Sequence, residues 1–275
     1  MDPLQGESQE LRRGVTLQVA HSAGTNPPLV FLHGALGSRF NWRPQIEYGL
    51  SRGWECLAYD LAGHGQSSPY PRYSIGRHCR DLGRLLEHCG ITRPLLVAHS
   101  YGVPIALEWA RHRSVRGLVL AAGGTHELDP WWEQPLMRLM RLGGRQLFRF
   151  QRVQELNRSL LSASDHPAVD RFCRESPIPF NVEPYRSLEI FWGYNFFQRP
   201  ATRRWSQIPA LILSGGRDPM FNLAMGDALA ARFDQGRHQH LPDCGHLLMA
   251  EEPEMVNRSI ANWIANEGLD QPERK

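Results

Sequence analysis

The strongest constraint in this chain is a rhythm. Short, largely apolar runs recur, each ending on a glycine or polar cluster and each followed by a helical pattern. Leu29-Val-Phe-Leu32 leads into His33-Gly34, Cys56-Leu-Ala-Tyr59 into Asp60, and Leu95 to Ala98 into His99-Ser100. Val115 to Ala121 leads into Gly123-Gly124, and Ala210 to Leu213 into Ser214-Gly-Gly. Runs that are apolar throughout, rather than alternating, mark strands buried on both faces. Between them, Ser74 is placed to cap a helix in which Ile75, Cys79, Leu82, Leu85, Leu86 and Cys89 share a face. A last helix is expected from about Pro253, a favoured first-turn residue, to Asn266. Strands alternating with helices predict the α/β class, with a mostly parallel sheet covered on both faces.

The rhythm stops between about Thr125 and Ser206. This stretch has no strand signal and is crowded with large aromatics, among them Trp131, Trp132, Phe191, Trp192, Tyr194, Phe196 and Phe197. It is too long to be a plain connection inside a compact sheet. The expected organisation is a core of residues 1–124 and 206–275, with a mostly helical cap, 125–205, inserted in it. Within the cap, Arg138, Arg141, Arg145, Arg149 and Arg152 recur at helical spacing. Such a stripe reads first as a solvated face; the sharper reading is peripheral contact with an anionic membrane or an acyl thioester's phosphates.

Composition removes several function classes. The chain has 275 residues, enough for a large single core with an insertion. Its net charge of +3 gives no footprint for nucleic acid. Lys275 is the only lysine among the 31 basic residues, so neither a phosphate-binding loop lysine nor a Schiff-base lysine is available internally. The five cysteines form no C-x-x-C pair, which predicts neither a zinc site nor a disulfide framework and suits a reducing, cytoplasmic setting. Residues 1–14 lack the apolar core of a signal peptide, and no apolar run reaches transmembrane length.

The polar clusters lie where a parallel sheet binds ligands, beyond the carboxyl ends of its strands. Three of them carry a serine, an acid and a histidine in chain order: Ser100, Asp218 in Ser214-Gly-Gly-Arg-Asp-Pro219, and His246 in Asp243-Cys-Gly-His246, after a short strand over Arg237 to Leu241. A serine hydroxyl becomes a nucleophile when an imidazole takes its proton, and the imidazole needs a carboxylate on its far nitrogen. A tight strand-to-helix bend at Ser100 would lift the hydroxyl above the sheet and aim the next amide at the substrate. The backbone N–H groups of Tyr101 and of Ala35, in the His33-Gly34-Ala35 turn, are the expected oxyanion hole. His99, Leu36, Trp131, Trp192 and Leu247 are candidate pocket residues. Asp129 rivals Asp218 as the acid, while Asp60 is expected to brace its own loop, and His112, His238 and His240 read as surface histidines.

These segments resemble the α/β-hydrolase (abhydrolase-1) family from about Leu17 to Ile264. FLHGALGS is similar to its oxyanion loop, YDLAGHGQSS to the turn after the next strand, LVAHSYG to its nucleophile elbow, LILSGGRDP to its acid loop, and LPDCGHLLMAEEPEMV to its histidine loop and final helix. DLAGHG with HSYGV resembles the abhydrolase-domain-8 branch. The resemblance implies an eight-stranded, mostly parallel sheet, no cofactor, and hydrolysis of an ester, thioester or amide. Ala98 departs from the G-x-S-x-G elbow at its first glycine, a position that needs only a small side chain, while Gly102 is kept. Epoxide hydrolases and haloalkane dehalogenases of this fold carry an aspartate at the elbow, where this chain has Ser100. The expected function is therefore a serine hydrolase of the carboxylesterase or lipase type, acting on a lipophilic small molecule. Acyl transfer, carbon–carbon bond hydrolysis or cofactor-free peroxidase chemistry on the same triad, or a ligand receptor keeping the fold, are the alternatives.

Overall fold

The computed structural model describes residues 2–123, 125, 166–175, 186–200 and 203–271, with positions 135, 138, 139, 142 and 162 between them. Eight strands form one sheet in the order β1-β2-β4-β3-β5-β6-β7-β8. They are β1 Glu7–Arg12, β2 Val15–Ser22, β3 Asn26–Leu32, β4 Trp54–Tyr59, β5 Leu95–His99, β6 Gly117–Ala121, β7 Ala210–Gly215 and β8 Gly236–Leu241. β1 and β2 pair antiparallel, as do β2 and β4; every other pairing is parallel.

The apolar runs are strands because they must fill two cores at once. Successive side chains of a strand point to opposite faces. Val30, Leu32, Leu96, Ala98, Leu118 and Leu120 accordingly join one core, and Leu29, Phe31, Leu95, Val97, Val119 and Ala121 join the other. Each fully buried aliphatic or Phe side chain contributes about 1.5–3 kcal/mol, so these strands hold the sheet's centre firmly. On the first face lie α2 Ile75–His88 and α3 Gly102–His112; on the second lie α1 Arg43–Ser51 and the terminal helix Pro253–Asn266. The Ser74 hydroxyl caps α2 by accepting the Arg77 N–H at 3.3 Å, and Pro253 opens the final helix.

Between β6 and β7 the described residues form helices and turns and no strand, including Pro167–Glu175, Leu188–Phe191 and Phe196–Gln198. Leu188, Ile190, Phe191, Tyr194 and Phe196 are buried on the first core. Arg141, Arg145, Arg149 and Arg152 lie outside the described residues, as do Trp131 and Asp129. Among the described residues no helix is long and apolar enough to cross a membrane.

Backbone strain collects at the carboxyl edge of the sheet. Among the described residues three that are not glycine have positive φ: Leu36 at 60°, Ser100 at 44° and Ala122 at 50°. They follow β3, β5 and β6 respectively, the three central strands. Left-handed backbone at non-glycine residues costs roughly 1–3 kcal/mol each and persists where surrounding structure enforces it.

Candidate active site

Ser100 sits on the sharpest of these turns. Its own N–H donates to Ala121 O at 2.9 Å, tying the bend to the end of β6, and its carbonyl accepts the Val103 N–H at 3.0 Å as α3 begins. Gly102 is needed because a Cβ there would lie 2.7 Å from Leu32 O, so α3 crosses directly over β3. Ala98, fully buried, is in register with Leu32 on one side and Leu120 on the other. A methyl therefore fits where the elbow pattern has glycine.

The candidate acid, Asp218, and the candidate base, His246, come from adjacent loops packed backbone to backbone. A Cβ on Gly215 would fall 2.3 Å from Gly245 O, and one on Gly216 would fall 2.3 Å from Pro242 O. Arg217 N–H donates to Cys244 O at 2.8 Å. Asp218 Oδ1 accepts the N–H groups of Met220 and Phe221 at 2.8 and 3.2 Å, while its Oδ2 lies 2.9 Å from His246 Nδ1. Both side chains are buried, at 0% and 6% exposure. A carboxylate on Nδ1 holds the proton there and leaves Nε2 as a bare acceptor, which is the tautomer a general base requires.

Glu251 was not read from the sequence as a site residue, yet it brackets the histidine. Its Oε2 accepts the Gly245 N–H at 2.9 Å and its Oε1 the Leu247 N–H at 3.1 Å, and it is 1% exposed. The only sequence signal was an acid five residues beyond His246.

The turn after β3 is held from below by His33. Its Nδ1 donates to Gly34 O at 2.7 Å, and its Nε2 accepts the Leu61 N–H at 2.9 Å. Burial lowers its pKa to about 4, so it stays neutral. Asp60 braces the same region, accepting the N–H groups of Arg39 and Gln66 at 2.8 and 2.9 Å and pairing with the Arg39 guanidinium at 2.7 Å. Neither the Ala35 nor the Tyr101 N–H is used in a hydrogen bond to a described backbone group. The Tyr101 ring turns inward, fully buried; its hydroxyl donates to Ser187 O at 3.3 Å and lies 2.9 Å from His78 Nε2.

The structure thus brings Ser100, Asp218, His246 and the Ala35 turn to one sheet edge. The pocket candidates divide. Leu247 is buried, Leu36 is half-buried, and Trp192 is 40% exposed. His99 is 3% exposed and bridges loops rather than lining a pocket: its Nε2 lies 2.9 Å from His246 O. His238 and His240 are corrected too. They are half-buried beneath the acid loop, both bonded to the Ser214 hydroxyl, because β8 turns these alternate residues toward β7. Among the described residues no group of three His, Cys, Asp or Glu side chains is arranged to hold a metal ion.

Residues 27–253 match the family described as the alpha/beta hydrolase fold. Among curated proteins, bifunctional epoxide hydrolase 2 of Sus scrofa is 22% identical over 92% of this chain and 54% of its own. The chain therefore spans about half the length of that relative. Cis-3-alkyl-4-alkyloxetan-2-one decarboxylase of Xanthomonas campestris is 26% identical over 88% of this chain and 89% of its own. Among solved structures, an esterase from Exiguobacterium antarcticum superposes with a TM-score of 0.80 at 17% identity, covering 94% of this chain and 99% of that one.

Proposed function

The chain belongs to the α/β hydrolase fold family, and we propose that it is a serine hydrolase cleaving a carboxylic ester or thioester with an apolar acyl or alcohol part. The observation that carries this reading is a serine with φ of 44° at the end of β5, on the same sheet edge as a buried Asp218–His246 pair 2.9 Å apart. His246 Nε2 takes the Ser100 hydroxyl proton as Oγ attacks the carbonyl carbon. The negative charge that develops on the carbonyl oxygen is met by the N–H groups of Ala35, in the turn after β3, and of Tyr101, at the start of α3, where the helix end favours an anion. His246, now an imidazolium paired with Asp218, returns the proton to the departing alkoxide or thiolate. A water activated by the same histidine then hydrolyses the acyl-enzyme, which restores Ser100.

A hydroxyl at the elbow favours acyl chemistry over the epoxide opening named for the porcine relative. The family fits a small-molecule substrate. Its apolar part would be received by the 125–205 segment, which we assign as a cap over the carboxyl edge; the aromatic residues Phe191, Trp192 and Phe196 support that assignment.

A fluorophosphonate probe tests the reading. The wild-type chain is expected to be labelled covalently and Ser100→Ala not at all. Turnover of an activated ester should fall by about 10⁴-fold or more in Ser100→Ala and His246→Ala. A wild type that resists the probe, or a Ser100→Ala variant labelled equally well, would overturn it.

A further inference from the structure

We propose that His99 is a positioning residue that locks the base loop and the oxyanion turn onto the elbow through one fixed, neutral tautomer of its ring. The inference rests on the serine-hydrolase reading above. His99 ends β5, immediately before Ser100, and its imidazole faces three parts of the site at once. Nε2 lies 2.9 Å from the main-chain carbonyl of His246. The two imidazoles sit 4.8 Å apart, and Trp42 closes the other side at 6.5 Å. On the third side is Gly34: a Cβ there would lie 2.5 Å from His99 Nδ1 and 2.9 Å from Cε1.

These contacts allow one protonation state. A carbonyl oxygen only accepts, so Nε2 must carry the hydrogen. Nδ1 is then a bare lone pair, and it is buried with no hydrogen-bond partner among the described residues. An orphaned buried acceptor loses its hydration without replacement and calls for a reason. The opposite tautomer would aim an N–H at the Gly34 backbone and turn a lone pair on the His246 carbonyl. The imidazolium would add a buried donor without an acceptor and a positive charge beside the ring that must itself become cationic during turnover. Burial, followed by the neighbouring His246, holds His99 well below the ordinary histidine pKa. The orphaned nitrogen is thus the cost of a ring that donates to the base loop, stays uncharged, and leaves the oxyanion turn room to pass.

The ring also explains why two distant motifs constrain each other. His33-Gly34 needs a glycine because of the imidazole at 99, and the imidazole keeps its place because position 34 has no side chain. Strand β5 is rigid and buried, so His99 carries its position directly to the carbonyl of His246 and to the turn that bears the Ala35 amide.

Two substitutions separate this role from simple space filling. A glutamine amide nitrogen reaches as far as Nε2, so His99→Gln can still donate to His246 O; an asparagine amide reaches only as far as Nδ1. A misplacement on the order of 1 Å can cost about 100-fold. In fluorophosphonate labelling and in kcat for an activated ester, His99→Asn should therefore lose about 100-fold, with KM little changed, while His99→Gln stays within about 5-fold of wild type. Nitrogen NMR of the wild-type chain, with the ring signal identified by its loss in His99→Gln, should show the Nε2–H tautomer unchanged from pH 8 to about 5.5. This readout is taken on the wild-type chain and does not depend on the activity of either variant. Equal rates for His99→Asn and wild type, an Nδ1–H tautomer, or titration within that range would overturn this inference alone. A wild type that resists the probe would remove the serine-hydrolase reading and this inference with it.

Discussion

Glu251 uses both carboxylate oxygens on the amides either side of His246, so the proposed base is held by its main chain as well as by Asp218. Glu251→Gln keeps the shape but replaces one acceptor with an NH2 group facing an N–H. A buried donor left unsatisfied costs about 1–3 kcal/mol. Here that cost falls on the loop bearing the base, so kcat for an activated ester should drop about 10-fold or more with KM nearly unchanged. Steady-state kinetics beside Glu252→Gln, on the next residue, is the check; equal kcat for both variants would count against the bracket. Ser100, Asp218 and His246 stand out in the sequence as candidates because each sits in a strand-end motif whose residue types suit the proposed chemistry. It did not show Glu251 or the bridge made by His99, because their partners are main-chain N–H and C=O groups. Such groups are present at every residue and leave no pattern to read.

At the level of elements, legibility followed apolar content. The Ser74 cap and the Pro253 start mark real helices, and the buried strands lie where their apolar runs fall. No apolar run marks β1, Glu7–Arg12, an edge strand whose residues are exposed or half-buried. β8 was found as a strand, but its facing was misread. Its register pairs His238 with Ile212 and His240 with Ser214, so both imidazoles turn to the face of the buried Ser214 hydroxyl. Ser214 Oγ lies 2.7 Å from His238 Nε2 and 2.8 Å from His240 Nδ1; Asp227, on the helix Leu223–Ala230, lies 2.7 Å from His238 Nδ1. Gly226 makes the space, since a Cβ there would fall 2.3 Å from His238 Nε2. Alternation alone cannot tell a polar residue facing water from one facing another buried polar group. Asp227 favours the proton on His238 Nδ1, so Ser214 donates to Nε2 and accepts from His240. Removing the shared hydroxyl in Ser214→Ala strands both imidazoles and should cost about 1–3 kcal/mol. Asp227→Asn, at a carboxylate 66% exposed, should cost within about 1 kcal/mol. Urea unfolding of the two variants decides it: an Asp227→Asn loss equal to or above that of Ser214→Ala would reject the hydroxyl as the centre of the cluster.

Across the whole molecule, buried imidazoles tie the turns at the carboxyl edge to the sheet and its helices. His33 holds the turn after β3, proposed as part of the oxyanion hole, and its ring lies 5.1 Å from that of His64; His64 packs 5.2 Å from Tyr101, whose hydroxyl meets His78 of α2. With His99 this makes four buried histidines around the elbow besides His246. Burial is the largest cause for each: it lowers His33 to about 4, and His64 and His78 to about 3, and holds His99 well below its ordinary value. The sign of the pH effect follows. In the unfolded chain these rings take up protons as pH falls through about 6.5, whereas in the folded chain His33 does so only near 4, His64 and His78 near 3, and His99 well below its ordinary value. Stability is therefore independent of these groups above pH 7 and is lost progressively as pH drops from about 6.5 toward 4. Each histidine contributes a slope of about 1.4 kcal/mol per pH unit in that window. Against a typical total of about 5–15 kcal/mol, such slopes acting together are expected to reduce stability markedly as pH falls. Urea midpoints measured from pH 7.5 to 5.0 should be flat at the upper end and fall steeply below about pH 6.5. His64→Gln, which keeps a polar group beside Ser187 but removes one titrating ring, should shallow the fall by about one proton per molecule. A midpoint constant down to pH 5.0, or a slope unchanged in His64→Gln, would show that the buried imidazoles do not set the acid limit of this fold.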